Sequence, residues 1–326
     1  MVATTERLAT QPMPGVPEQL PTEPEAIFVV GVPRSGTTMM RYVLETSDRI
    51  AIARESHFMG HILGRRGARH FFRRAGDLQD DDSLRRIVDM IYSGEYEKLA
   101  GWRRPSPYWY WLKEEVPREE IERRLLAAER TERGIFEAFL RVYADVHGKP
   151  VMGEKTPTHL NYVETLLEWF PDARVIHMLR DPRAVYASDR YRRQTRDRFH
   201  YSLMRKVPLL LESYLLILYS VSWRRALKKH ERLLKRYPGK YMLVRFEDVV
   251  KKPAETLPAV FSFLNVAMPE SVVSDVEVPA RHGMRSSGEG IDPGAADRWR
   301  ERIRTPARRF LELMLRGPMR RYGYGD

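Results

Sequence analysis

Two spacings of apolar residues alternate along this chain. Short apolar, β-branched-rich runs occur at residues 27–31 (IFVVG), 50–53 (IAIA), 151–154 (VMGE), 174–179 (RVIHML) and 240–246 (KYMLVRF). Each has the length and bounding of a strand. Between them the period becomes helical, as in Leu84-Ile87-Val88-Ile91 and Ile121-Leu125-Leu126. Further helices are expected around 159–170, over 207–237 and over 253–264. Strands alternating with helices predict an α/β fold with a mostly parallel central sheet, helices on both faces, and ligand at the carboxyl edge. Residues 57–147 read as a helical insertion, and 25–326 as one domain. The polar, proline-rich residues 1–24 lack a hydrophobic signal core and read as a disordered tail.

Two segments leave alternatives open. Residues 102–111 (WRRPSPYWYW) form an aromatic-rich loop that could stack a sugar or aromatic group, or pack between helices. The apolar stretch 207–223 is interrupted by Glu212, Ser213 and Ser220. It is too short and too polar for a membrane span and reads as a buried helix.

Composition narrows the classes. The 326 residues are 43% apolar, enough for a large α/β domain, and contain no cysteine, which excludes disulfides and thiolate metal sites. A reducing, cytoplasmic setting fits that absence. Lys and Arg number 56 against 44 acids, a net charge of +12, so polyanions are attracted. Part of the excess lies at Arg183, Arg190, Arg192, Arg193, Arg196, Arg198 and Arg205. That cluster is either a solvated face or a site for an anionic ligand.

The first run breaks at Gly31, turns through Pro33-Arg34-Ser35-Gly36 and meets Thr37-Thr38 at the start of a helix. Unpaired N–H groups at a helix start, together with the helix dipole, make such a turn an anion cradle. The glycine spacing from Gly31 to Gly36 fits the nucleotide-triphosphate loop G-x-x-x-x-G-K-[ST], yet Thr37 stands where that loop has lysine. The cation has moved to Arg34. At the end of the fourth run, Arg180-Asp181-Pro182-Arg183 leads into a helix, and Ser188 lies eight residues after Arg180. Guanidinium offers forked donors to phosphate oxygens, and a hydroxyl adds a compact one.

Together these segments resemble the sulfotransferases, which move a sulfuryl group from 3′-phosphoadenosine 5′-phosphosulfate (PAPS) and release PAP. GVPRSGTT with arginine is most similar to the protein-tyrosine sulfotransferase branch and its bacterial relatives. The resemblance implies a P-loop-like fold, with Arg34, Ser35, Gly36, Thr37 and Thr38 around the 5′-phosphosulfate. It implies that Arg180 and Ser188 hold the 3′-phosphate and that Phe246 touches adenine. Glu55, twenty-one residues after Arg34, matches the glutamate base of the tyrosine and glycan branches. His57 and His159 are competing bases, since another branch uses histidine. Glu154-Lys155-Thr156-Pro157 matches the family's E-K-[ST]-P turn, whose lysine faces the sulfuryl group. Ser286 and Ser287 resemble a C-terminal segment that closes over the nucleotide.

The resemblance implies no metal in the chemical step, an acceptor hydroxyl on a tyrosine, glycan, lipid or small metabolite, and no obligate nucleic acid. Two other functions compete. A nucleotide kinase shares the loop geometry but would leave the Arg180–Ser188 element unexplained. A non-enzymatic basic module would bind nucleic acid or acidic glycan in a salt-sensitive way.

Overall fold

The computed structural model describes residues 23–62, 75–93, 110–195, 207–272 and 291–325. The tail before residue 23, Trp102, Arg196, Arg198, Arg205, Ser286 and Ser287 lie outside them. The five predicted strands are present: β1 (Ala26–Gly31), β2 (Ile50–Ala53), β3 (Val151–Lys155), β4 (Arg174–Leu179) and β5 (Tyr241–Arg245). They form one sheet in the order β2-β3-β1-β4-β5. Both β1 and β2 pair with β3 in parallel, with Val29 opposite Lys155 and Ala53 opposite Glu154. This is the parallel α/β architecture that the alternating periods predict. The chain divides into two compact units, one of Glu23–Gly31 and Thr37–Ile176, the other containing Val32–Gly36 and His177–Asp326.

In the first unit, β1, β2 and β3 are fully buried, which explains their unbroken apolar character. Its helices are α1 (Thr37–Glu45), α2 (Phe58–Ile62), α3 (Asp81–Tyr92), α4 (Tyr110–Glu115), α5 (Arg118–Ala127), α6 (Glu132–Val146) and α7 (Val163–Trp169). Helix α3 starts where the Asp80 carboxylate accepts the N–H groups of Asp82 and Ser83, and it buries Leu84, Ile87, Val88 and Ile91 as their spacing predicts. Helix α6 begins at Thr131, whose hydroxyl accepts from Gly134 N–H. The rings of Phe28, Phe58 and Phe170 gather around Phe136 of α6, the nearest centroid at 4.6 Å. Trp111 resolves its half of the aromatic segment: it lies in the first turn of α4, is buried, and meets Tyr143 edge-on at 5.0 Å. Packing, not ligand stacking, is its role.

In the second unit, α8 (Pro182–Thr195) follows β4 with Pro182 at its first position, where a missing N–H costs nothing. Then come α9 (Pro208–Arg236), α10 (Phe246–Lys251), α11 (Pro253–Leu264), α12 (Trp299–Arg302) and α13 (Thr305–Arg321). Helix α9 corrects the expectation for residues 207–237 in two ways. It is one helix of 29 residues, and it is only half buried. Leu211, Leu215, Tyr219, Trp223 and Leu227 face the protein, while Leu209, Leu210, Tyr214, Ile217 and Val221 are exposed. An apolar run wider than one helical face cannot be buried by contacts on one side alone. No helix among the described residues is long and apolar enough to cross a membrane.

Gly153 lies in the centre of β3, where an added Cβ would come within 2.4 Å of the Ile27 carbonyl oxygen and 2.5 Å of Ile52 Cδ1. The backbone contact cannot yield without separating β1 from β3. Gly153→Ala should therefore lower stability by about 1–3 kcal/mol, seen as a lower urea midpoint with unchanged slope.

Candidate active site

The predicted site residues sit where strands end. Arg34 follows β1, Glu55 follows β2, Lys155 closes β3, Arg180 follows β4 and Phe246 follows β5. Thr37 and Thr38 open α1.

In the second unit the turn after β1 closes through the Ser35 N–H to the Val32 carbonyl, 3.1 Å. Pro33 presets the second residue of this turn, and the third, Arg34, has φ +78°. A turn with that pattern normally takes glycine, and a side chain there costs roughly 1–2 kcal/mol. Contacts made by Arg34 offset this strain. Its Nε and NH2 donate to Ser188 Oγ at 3.0 and 2.9 Å, and its carbonyl accepts from Arg180 NH1 at 3.2 Å. Both residues of the second motif thus grip the arginine of the first.

Arg180 also donates to the Ala295 carbonyl at 2.9 Å, and its guanidinium carbon lies 4.0 Å from the Phe246 ring centre. Phe246 is only 5% exposed and packs so tightly on Gly36 that a Cβ there would lie 2.3 Å from the ring. The ring therefore serves as the floor beneath Arg180 and the loop. Burial pulls the Arg180 guanidinium down to about 10; Glu247 opposes this and the Arg34 charge adds to it. It stays cationic at neutral pH. Its buried Nε has no hydrogen-bond partner among the described residues, and neither has the buried hydroxyl of Ser35. An anion would supply the acceptor that such donors lack, so these residues fit a bound phosphate group.

The neighbouring arginines behave differently. Arg183 is buried, forked onto Asp181, paired with Glu312 at 2.7 Å and stacked on Trp299 at 4.4 Å. Arg192 pairs with the buried Asp189 at 2.9 Å. Of the basic cluster, these two serve the fold.

In the first unit the register of β2 on β3 brings the residues after Ala53 beside Lys155. Lys155 Nζ donates to Glu55 Oε1 at 2.5 Å, and His57 Nε2 lies 3.3 Å from Oε2. Lys155 is almost fully buried, whereas the Glu55 side chain is 32% exposed. Burial acts to raise the Glu55 carboxyl, but the Lys155 charge and the His57 contact outweigh it and hold the group far below the usual carboxylate range. Glu55 is therefore a half-buried carboxylate, ionised and tied to a lysine.

His159 is placed otherwise. It is 1% exposed, with Nδ1 2.9 Å from Glu154 Oε2 and Nε2 accepting from the Met59 N–H at 3.3 Å. Both ring nitrogens face protein, so the histidine is a core group. Its partner Glu154, passed over in favour of Lys155 by sequence reasoning, is a buried organiser. One carboxylate oxygen accepts from Ser56 N–H (2.8 Å), Ser56 hydroxyl and Thr156 hydroxyl (2.8 Å). Thr156 thus spends its hydroxyl on Glu154, without a side-chain cap on the turn that follows. The Glu154 network fixes the segment carrying Glu55. Its only sequence signal is a carboxylate at the end of a strand otherwise buried.

Comparison with known proteins bears on the family and the fold. The model of the Sulfotransferase family matches residues 24–270. A protein-tyrosine sulfotransferase of Drosophila melanogaster is 25% identical over 277 residues, covering 82% of this chain and 44% of that protein. Protein-tyrosine sulfotransferase 1 of Danio rerio is 24% identical over 314 residues, covering 91% and 72%. The chain thus spans less than half the length of the first relative and under three-quarters of the second. Among solved structures, the sulfotransferase domain from the curacin biosynthetic pathway shares the fold, with a TM-score of 0.51 at 17% identity over 90% of this chain and 97% of that one. With the family model covering about three-quarters of its length and the phosphate motifs meeting in the fold, the chain belongs to the sulfotransferase family.

Proposed function

We propose that this sulfotransferase takes PAPS as donor and passes its sulfuryl group to an acceptor hydroxyl. The observation that carries the reading is the pair of buried donors, Ser35 Oγ and Arg180 Nε, that find no acceptor among the described residues. Both belong to segments resembling the family's phosphate motifs. In this reading Arg180 and Ser188 hold the 3′-phosphate. Arg34, Ser35, Gly36 and the start of α1 at Thr37 and Thr38 hold the 5′-phosphosulfate. PAPS supplies an activated sulfuryl group when bound; the protein supplies orientation and charge.

Glu55 acts as the base. Pairing with Lys155 keeps it deprotonated and also restrains its basicity. When Lys155 turns from Glu55 toward charge developing on the leaving oxygen, the carboxylate loses its cation and becomes the better proton acceptor. One lysine thereby times the proton transfer. No step is given to a metal, because Arg34 and Lys155 provide the cationic charge. His159 takes no part, since its nitrogens are engaged in the core. The two animal relatives support a tyrosyl hydroxyl as acceptor. The absence of cysteine supports a cytoplasmic location.

PAP should bind more tightly than ADP, because only PAP carries a 3′-phosphate for Arg180 and Ser188. Calorimetry should show Arg180→Ala losing roughly ten-fold or more in PAP affinity. Equal binding of both nucleotides by the wild type would overturn the donor assignment.

Glu55→Gln should lower turnover by about 10²–10⁴-fold with PAP affinity nearly unchanged. The depressed carboxyl is ionised above its usual range and protonates only below it. The wild-type kcat/KM should therefore show no Glu55-dependent fall as pH drops to about 5. A limb above that pH, absent from Glu55→Gln, would contradict the assignment.

Arg34→Gly and Arg34→Ala should both lose turnover, but glycine tolerates φ +78° and alanine does not. Thermal or urea unfolding should find Arg34→Gly the more stable of the two by about 1 kcal/mol.

A further inference from the structure

After α13 ends at Arg321, the backbone turns at Gly323, φ +73°, and Tyr324 enters the interior of its unit, 5% exposed. The Tyr324 N–H donates to the Met319 carbonyl at 2.8 Å, and its own carbonyl accepts from Arg183 NH2 at 3.0 Å. Its ring meets Trp223 edge-on at 6.1 Å and carries the Arg245 guanidinium at 4.8 Å on its face. Its hydroxyl donates to Glu247 Oε2 at 2.9 Å.

Two of the groups that Tyr324 touches, Glu247 and Trp223, hold the same peptide bond. Glu247 Oε1 accepts from the Asp181 N–H at 3.0 Å, and Trp223 Nε1 donates to the Arg180 carbonyl at 3.0 Å. These are the two polar halves of the Arg180–Asp181 peptide. With its carbonyl and its N–H both bonded, that unit has no freedom to rotate, and the Arg180 side chain leaves from a fixed base. Burial pushes the Glu247 carboxyl up, against the Asp181 N–H and the Arg180 charge. A buried carboxylate oxygen that loses its phenolic donor must seek another, and the charged groups nearby include Arg180 itself.

We propose that Tyr324 is a positioning residue for nucleotide binding: through Glu247 and Trp223 it fixes the Arg180–Asp181 peptide and so aims the Arg180 guanidinium. The inference rests on the reading that Arg180 holds the 3′-phosphate of the donor. It gives the end of the chain, far in sequence from both phosphate motifs, a part in donor selection. A tail that only closed the core would affect stability without discriminating between nucleotides.

The test is calorimetric titration of full-length wild type, Tyr324→Phe and Glu247→Gln with PAP and with ADP. Tyr324→Phe keeps the ring against Trp223 and removes only the hydroxyl. It should lose about three- to ten-fold in PAP affinity while ADP affinity changes less than about two-fold. Glu247→Gln should show the same selective loss, and the double variant little more than either alone, because both act through one contact. With PAPS as substrate, KM should rise while kcat at saturation holds. If the wild type prefers PAP and Tyr324→Phe retains the full preference, the positioning role is overturned while the donor assignment stands. If the wild type itself shows no preference, the donor assignment fails and the role of Tyr324 fails with it.

Discussion

A guanidinium held out of water beside a second guanidinium is the constraint around which the second unit is organised. Arg180 cannot give up its proton at neutral pH, so the fold must hold a cation where burial disfavours it. It does so with dipoles and a ring more than with a facing carboxylate: two backbone carbonyls accept its outer nitrogens, and Phe246 lies beneath it. Those contacts need Gly36 bare, because any side chain there would strike the ring. They also need Arg34 in a left-handed conformation, which turns its carbonyl toward Arg180 and its side chain toward Ser188. Strain at Arg34 and desolvation at Arg180 are features of one arrangement, the kind of concentrated cost found at functional sites.

In the first unit, two carboxylates on adjacent parallel strand ends take opposite roles because their surroundings differ. Glu154 is buried, with amide and hydroxyl donors on one oxygen and the His159 ring 2.9 Å from the other. Glu55 is half-buried, with a lysine on one oxygen and a histidine at the other. A carboxylate gripped by backbone and hydroxyl donors in the core holds the fold; one outside the core and paired with an ammonium is the candidate for proton transfer. His159 follows the same logic, since a ring with both nitrogens facing protein serves architecture. The sheet register that sets Ala53 opposite Glu154 connects the two carboxylates. Ser56, bonded to Glu154, is the residue after Glu55, so the buried network holds the backbone beside Glu55.

Strand positions, the parallel α/β plan, the glycine-bounded turn after β1 and the positions of Arg180, Glu55 and Lys155 at strand ends were legible in the sequence because they depend on local pattern. Apolar runs of strand length, a proline at a helix start and a glycine-bounded turn state their geometry within a few residues. The partner of each polar group was not legible. Nothing local distinguishes Glu154 from Glu55, or tells that Ser188 would receive Arg34. The exposed stripe of α9 reads as buried because hydropathy records what a residue tolerates, not which side of the helix the rest of the chain covers. For Trp111 the sequence leaves stacking and packing equally open, and Tyr143, thirty-two positions away, decides for packing. The sequence by itself determined which chemistries were present and at which strand ends. Only the tertiary structure decided which of those groups are satisfied by protein and which are left with donors to offer, because that balance is settled by contacts between residues far apart in the chain.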